Sequence, residues 1–193
     1  MNRDERRSFL KAAATAAGSF LAAPAVIRAS GAPRRRVKIG QIGTGHAHAS
    51  GKMDALRKLT DDYEVVGVVE SDEELRRKNG DQGVYRGLAW MTEEQLLNTP
   101  GLQAVAVETR VPDLIATAQR CVDAGMHLHL DKPAGTSLAA FRRLLDAATA
   151  KRLTIQMGYM LRNNPAFQLA FRAAREGWLG TVFETHGVMS FEF

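Results

Sequence analysis

The sequence predicts an α/β protein on a doubly wound, Rossmann-type parallel sheet, and three observations point there. From residue 37 onward, short β-branched runs alternate with stretches of helical periodicity. Those runs are nearly continuous in Val, Ile and Leu, as strands covered on both faces must be. The first run leads into "GQIGTGHAH" (residues 40–48), a glycine turn where a phosphate-cradling loop belongs in such a sheet.

The elements follow in order. "RRVKIGQIG" (35–43) is the first strand, and "HASGKMDALRKLT" then places Met53, Leu56 and Leu59 at helical spacing. "YEVVGVV" (63–69) is the second strand, closed by Glu70. Ser71 to Glu74 reads as a capping box opening a short helix, and Thr92 to Gln95 as another. "LQAVAVE" (102–108) is the third strand, followed by a helix that ends at Gly125. "MHLHL" (126–130) is the fourth, with a helix from Ser137, and "RLTIQMG" (152–158) the fifth, with a helix begun by Pro165. "TVFETHGVMSFEF" (181–193) alternates like a strand, and its Phe183, Phe191 and Phe193 need a sheet to cover them.

Ligands of doubly wound sheets bind at the carboxyl ends of the strands, where Gly43, Glu70, Glu108 and Asp131 all stand. Gly43-Thr44-Gly45 permits a tight turn and lets the backbone approach a pyrophosphate, while the helix after it offers free amides. His48 occupies the third position of the G-x-G-x-x-G pattern. Glu70, 25 residues after Gly45, is placed to accept the ribose hydroxyls of an adenosine and to favour NAD, with NADP possible.

The histidines argue for something else. Four of five lie in H-x-H pairs, His46/His48 and His127/His129, which raises a metal-dependent hydrolase as an alternative. No H-E-x-x-H or similar ligand spacing accompanies them, and the two pairs occupy different ends of their elements. His127 and His129 therefore read as structural residues, His46 and His48 as the first helical turn beside a phosphate, and no metal is expected.

Charge excludes a further class. The chain has a formal net charge of +5, but residues 1–36 hold eight Lys/Arg against two Asp/Glu. The body after residue 36 holds 18 basic and 19 acidic residues, so nucleic acid has little electrostatic support as a partner. The single Cys121 excludes an internal disulfide. Residues 1–31 read as a leader in which "RRSFLK" (6–11) resembles the twin-arginine export signal, with Ala23-Pro24-Ala25 a cleavage site. Its alanine-rich run, Ala12 to Ala25, is too short and weakly apolar for a stable membrane span. A periplasmic protein served by the twin-arginine machinery is the expectation.

Three stretches together resemble the glucose-fructose oxidoreductase and inositol dehydrogenase family (Gfo/Idh/MocA). They are "IGQIGTGHAH", "DAGMHLHLDKPAGTS", similar to its "AGKHVLxEKPxA" signature, and "QMGYMLRNNPAFQLA", similar to its "GYxxRxNPAF" segment. The resemblance implies a Rossmann domain over 37–158 and a linking helix over 159–193 that opens a truncated substrate domain. It implies an NAD(P)-dependent oxidoreductase moving a hydride between nicotinamide and a sugar or polyol, homo-oligomeric at full length. Lys132 matches the family's key lysine, and Asp131 stands where its acid is usually Glu. By the same resemblance Gly43, Thr44, Gly45, His46, Glu70, Thr109, Asp131, Lys132 and Pro133 lie at the cofactor, and Tyr159, Arg162 and Asn164 near the substrate. "VETRVPD" (107–113) departs from the family's usual "ATPxxxH", putting Glu108 and Arg110 where small residues are usual. A dinucleotide-binding module without turnover is therefore the second expectation.

Overall fold

Residues 35–188 are described by a computed structural model of the chain; the twin-arginine-like leader and residues 189–193, with Phe191 and Phe193, lie outside them. Six parallel strands form one sheet: β1 (Val37–Ile42), β2 (Tyr63–Val69), β3 (Trp90–Met91), β4 (Ala104–Val107), β5 (His127–Leu130) and β6 (Ile155–Met157). Their order is β3-β2-β1-β4-β5-β6, so the chain reverses direction across the sheet between β1 and β4. The Rossmann-type expectation holds, with one strand more than the five read from sequence. Trp90 and Met91 pair with Val68 and Val69 at the sheet edge, a ladder too short to show alternation.

Burial follows from the strand composition. Val105 and Val107 of β4 and Leu128 and Leu130 of β5 are buried, packed with Leu114, Ala118, Val122 and Leu144 from helices. Among the described residues there are six α-helices: α1 (Ala49–Lys58), α2 (Glu73–Gly80), α3 (Glu93–Leu97), α4 (Leu114–Asp123), α5 (Leu138–Ala150) and α6 (Pro165–Arg175). Met53 and Leu56 of the first face inward as expected, but Leu59 lies beyond the helix end and is 49% exposed.

Helix boundaries show which capping signals act. The Thr92–Gln95 box forms in both directions, and Ser137 and Asn164 cap α5 and α6. At α2 the cap is Asp72, one residue later than the Ser71 box suggests: its Oδ1 accepts from the Glu74 and Leu75 amides, both at 3.0 Å. An ionised carboxylate there gains from the helix dipole as well as from the two bonds, an advantage a serine lacks.

The alternating segment after α6 differs from expectation. Residues 181–188 form no strand, and Phe183 and Val188 are 93% and 92% exposed. A strand needs a partner, and no strand among the described residues pairs with this segment.

Candidate functional site

The glycine turn leaves β1 at the switch point between β1 and β4. Gly43 has φ +92°, and a Cβ there would stand 2.5 Å from the Thr109 nitrogen, so both conformation and space demand glycine. Behind it the turn is fastened by Glu70. The Thr44 amide and hydroxyl both donate to Glu70 Oε2 at 2.7 Å, and the Asp72 amide donates to Oε1 at 3.0 Å. Asn79 Nδ2 donates to the Thr44 hydroxyl oxygen at 2.9 Å. Glu70, read from sequence as a free acceptor for ribose, is thus partly engaged in shaping the turn, with lone pairs left on its oxygens. The Gly45 and Ala47 amides have no intramolecular acceptor among the described residues.

This turn opens onto a cleft of about 710 Å³ lined by Gly43, Gly45, Glu70, Asp72, Thr109 and Arg110. Arg110 Nη2 donates to Asp72 Oδ2 at 2.9 Å across the rim. The Leu75 amide, with help from Arg110, holds the Asp72 carboxyl below its ordinary range.

On the other side of the turn, side chains that are far apart in sequence converge on Asp131. His48 Nδ1 lies 3.1 Å from both Asp131 oxygens. His46 Nδ1 stands 3.7 Å from Glu108 Oε2 and from Asp131 Oδ2, while its Nε2 donates to the Lys132 carbonyl at 3.1 Å. His129 Nε2 is 3.9 Å from Glu108 Oε1. The sequence reading kept the two H-x-H pairs apart; the structure brings His46, His48 and His129 together, because the β1 turn and the end of β5 both face the end of β4. His127 stays exposed, with Nδ1 accepting from the Thr154 amide at 3.0 Å.

Electrostatics in this cluster are severe. Burial, and then the neighbouring charge of Asp131, pushes the Glu108 carboxyl up to about 8. Burial alone would also raise Asp131, but the Lys132 amide, the His48 bond and the two imidazoles hold it below the usual carboxylate range. Burial and the charge of Lys52 bring His129 down to about 4, so its imidazole is neutral with a lone pair to give. Both Glu108 oxygens, His129 Nε2 and Thr109 Oγ1 are buried with no hydrogen-bond partner.

A second cleft of about 500 Å³ borders the cluster, lined in part by His48, Lys52, His129, Asp131, Gln156 and Tyr159. Gly158 forms its back wall so closely that a Cβ would stand 2.9 Å from Asp131 Oδ1. The Lys132 amide donates to Asp131 Oδ1 at 2.6 Å, which ties the lysine's backbone to the cluster, and Pro133 follows exposed through a cis peptide bond. Of the residues expected near the substrate, Tyr159 lines this cleft and Arg162 lies over its ring at 5.9 Å. Asn164 caps α6, its Oδ1 accepting from the Ala166 amide at 2.9 Å. Sequence reasoning missed Lys52 and His129 as lining residues; it placed Glu108 at a ligand-binding strand end but gave it no role beyond a departure from the family pattern. The available signal was position, since Glu108 and His129 occupy adjacent strands' carboxyl ends.

Comparison with known proteins agrees with this geometry. The family model described as an oxidoreductase family with an NAD-binding Rossmann fold matches residues 37–159. The chain is 30% identical over 160 residues to an inositol 2-dehydrogenase of Saccharopolyspora erythraea, covering 79% of this chain and 45% of that one. It is 28% identical over 141 residues to an inositol 2-dehydrogenase/D-chiro-inositol 3-dehydrogenase of Lacticaseibacillus casei, covering 72% and 39%. The chain thus spans less than half the length of these relatives. Among solved structures, the fold matches the WlbA dehydrogenase of Bordetella pertussis in complex with NADH and UDP-GlcNAcA (TM-score 0.65, 19% identity, 76% of this chain and 44% of that one). It also matches scyllo-inositol dehydrogenase of Lactobacillus casei with bound NAD(H) and scyllo-inositol (TM-score 0.63, 17% identity, 76% and 43%). Motifs, sheet order and family match converge: the chain belongs to the Gfo/Idh/MocA oxidoreductase family, with the family's NAD-binding Rossmann fold at residues 37–159.

Proposed function

We propose that this chain is the nucleotide-binding part of an oxidoreductase that moves a hydride between NAD and a carbinol carbon of a sugar or polyol. The observation that carries the reading is the Gly43–Gly45 turn at the switch point, facing the 710 Å³ cleft. The residues fit a dinucleotide: a glycine that no Cβ can replace, and turn amides at Gly45 and Ala47 without acceptors. Glu70 has capacity left for ribose hydroxyls. When bound, the nicotinamide supplies the hydride chemistry. Lys132, just past the end of β5, hydrogen-bonds the substrate hydroxyl and helps manage the proton that leaves as the hydride moves, with Asp131 fixing the backbone that carries it. Tyr159 and Arg162 border the pocket for the polyol, and Asn164 contributes mainly by starting α6. Relatives named as inositol dehydrogenases favour the polyol class.

The test is Gly45→Val. A Cβ at Gly45 meets the Arg110 and Leu75 side chains at 3.0 and 3.1 Å and comes no nearer than an ordinary 3.6 Å to backbone, so the fold should survive while the pyrophosphate site is filled. Calorimetry should show NAD binding abolished; unchanged affinity removes the phosphate-turn assignment. A second reading, binding without turnover by this chain alone, is favoured by Tyr159 standing 49% exposed at the substrate side. An assay for NADH formation with myo-inositol separates the two. We further propose export by the twin-arginine route, tested by Arg6→Lys with Arg7→Lys, which should leave precursor in the cytoplasm.

A further inference from the structure

The cluster around Asp131 holds more than the dinucleotide reading uses. Glu108 is fully buried with both oxygens unpartnered, and His129 presents a buried, unpartnered Nε2 toward it. Such groups are rarely left so without an explanation. A proton shared between Glu108 and Asp131 would account for the two acids. It would not account for the imidazole nitrogens that approach Glu108, His46 Nδ1 at Oε2 and His129 Nε2 at Oε1.

We propose that Glu108, His129 and Asp131, with His46 as a fourth donor, form a binding site for one divalent transition-metal ion. One donor atom from each of Glu108, His129 and Asp131 lies within 4.8 Å of the others. His46 Nδ1 is 3.7 Å from both carboxylates, and His129 Nε2 is 3.9 Å from Glu108. Four ligands held tetrahedrally at about 2.0–2.2 Å from zinc stand roughly 3.3–3.6 Å apart, so the pairs at 3.7–3.9 Å need to close by a few tenths of an ångström, and the donors that lie up to 4.8 Å apart must draw in further. Mixed imidazole and carboxylate donors suit zinc and its first-row neighbours better than calcium or magnesium.

The surroundings support ligation. His46 donates its Nε2 hydrogen to the Lys132 carbonyl at 3.1 Å, which turns the Nδ1 lone pair toward the acids. Holding the far ring nitrogen on a carbonyl in this way is the common outer-shell device of metal-binding histidines. His48 and the Lys132 amide fix the Asp131 carboxylate in the same manner. Two features oppose the ion. The His48 amide, 3.2 Å from His46 Nδ1, must give up that bond, and the Lys52 ammonium must stay toward the second cleft that it lines.

The proposal does not depend on the dinucleotide reading, and its test uses zinc alone. The full chain is stripped with a chelator, dialysed, and titrated with Zn(II) by calorimetry, with bound metal counted by elemental analysis. Wild type should take one zinc per chain, and Glu108→Gln and His129→Gln should each weaken binding by at least about 100-fold, at the upper end of what outer-shell losses cost. His127→Gln, on the same strand but exposed, should bind as wild type does. Absence of stoichiometric zinc, or equal affinity across wild type and all variants, overturns the site and leaves the shared proton as the explanation. Circular dichroism checks folding, and if Glu108→Gln does not fold, His129→Gln decides. NAD titration of the same wild-type sample reports on the dinucleotide reading separately.

Discussion

The two clefts flanking the Gly43–His48 turn are built on opposite principles. In the first, polar groups find partners close at hand: Glu70 takes three donors, Asp72 caps α2, and Thr92 and Gln95 cap one another. In the second, both Glu108 oxygens and His129 Nε2 are buried and unpartnered, beside an Asp131 held by His48 and the Lys132 amide. The first arrangement fastens its rim from within and leaves the Gly45 amide and the Thr109 hydroxyl beside the cleft without partners among the described residues. The second carries an electrostatic cost that only an incoming proton, ion or substrate can relieve.

The largest test of the contrast is at the turn itself. Gly43→Val forces a β-branched residue into φ +92° and drives its Cβ into the Thr109 backbone, whose nitrogen lies at 2.5 Å. We expect a loss of more than about 3 kcal/mol, measured by urea unfolding, since positive φ alone costs on the order of 1–3 kcal/mol before the clash. Gly45→Val should lose far less stability while losing NAD. If both variants melt alike, the turn is not divided into a structural and a functional glycine.

Next come two substitutions of one residue type with opposite expected signs. Glu70→Leu strands the Thr44 and Asp72 donors and should destabilise by about 1–3 kcal/mol. Glu108→Leu, in chelator-treated protein, replaces an unpartnered buried carboxyl by an apolar group of similar size and should stabilise by about 1–3 kcal/mol. Paired thermal melts check both. A destabilised Glu108→Leu would show that the second cleft is satisfied after all.

How legible these regions were follows from the same contrast. The sheet, the glycine turn and most helix starts were readable because each signal is local: β-branched runs, a G-x-G, a Ser, Thr or Asn followed by its helix. β3 was not, because two residues carry no periodicity. The Ser71 signal points to a cap that Asp72 provides, since neighbouring residues compete for the same amides. The second cleft was hidden because His46, Glu108, His129 and Asp131 come from three strand ends. Only the parallel register of β1, β4 and β5 makes them neighbours. The H-x-H pairs are legible in sequence only as pairs, whereas the cluster takes both histidines from one and a single histidine from the other.

Cofactor choice gives a smaller effect within the first cleft. Glu70 ends β2 and repels a ribose 2′-phosphate, whereas Arg76, the cation lining that cleft on α2, stacks over Trp90 at 5.5 Å. We expect wild type to prefer NAD, and Glu70→Ala to shift the NADP-to-NAD affinity ratio by roughly tenfold, or about 1.4 kcal/mol. Dissociation constants for both dinucleotides test this. Tighter NADP binding by wild type, or an unmoved ratio in the variant, removes Glu70 as the selector.

The smallest effect comes from the capping box on the first cleft's rim. Thr92 Oγ1 accepts from the Gln95 amide at 3.1 Å, and Gln95 Oε1 accepts from the Thr92 amide at 2.9 Å. The box closes the start of a helix of only five residues, so these bonds are a large share of what holds α3 in place. Thr92→Ala removes one acceptor and exposes an amide that water can reach in part, which bounds the cost near 1 kcal/mol. For a domain of this size that is a fall of about 2–4 °C in the melting temperature. Thr92→Ser keeps the oxygen and should recover most of it. Loss of NAD affinity in the alanine variant without loss of stability would mean that Thr92 contacts the ligand, and that the rim is less complete by itself than its hydrogen bonds imply.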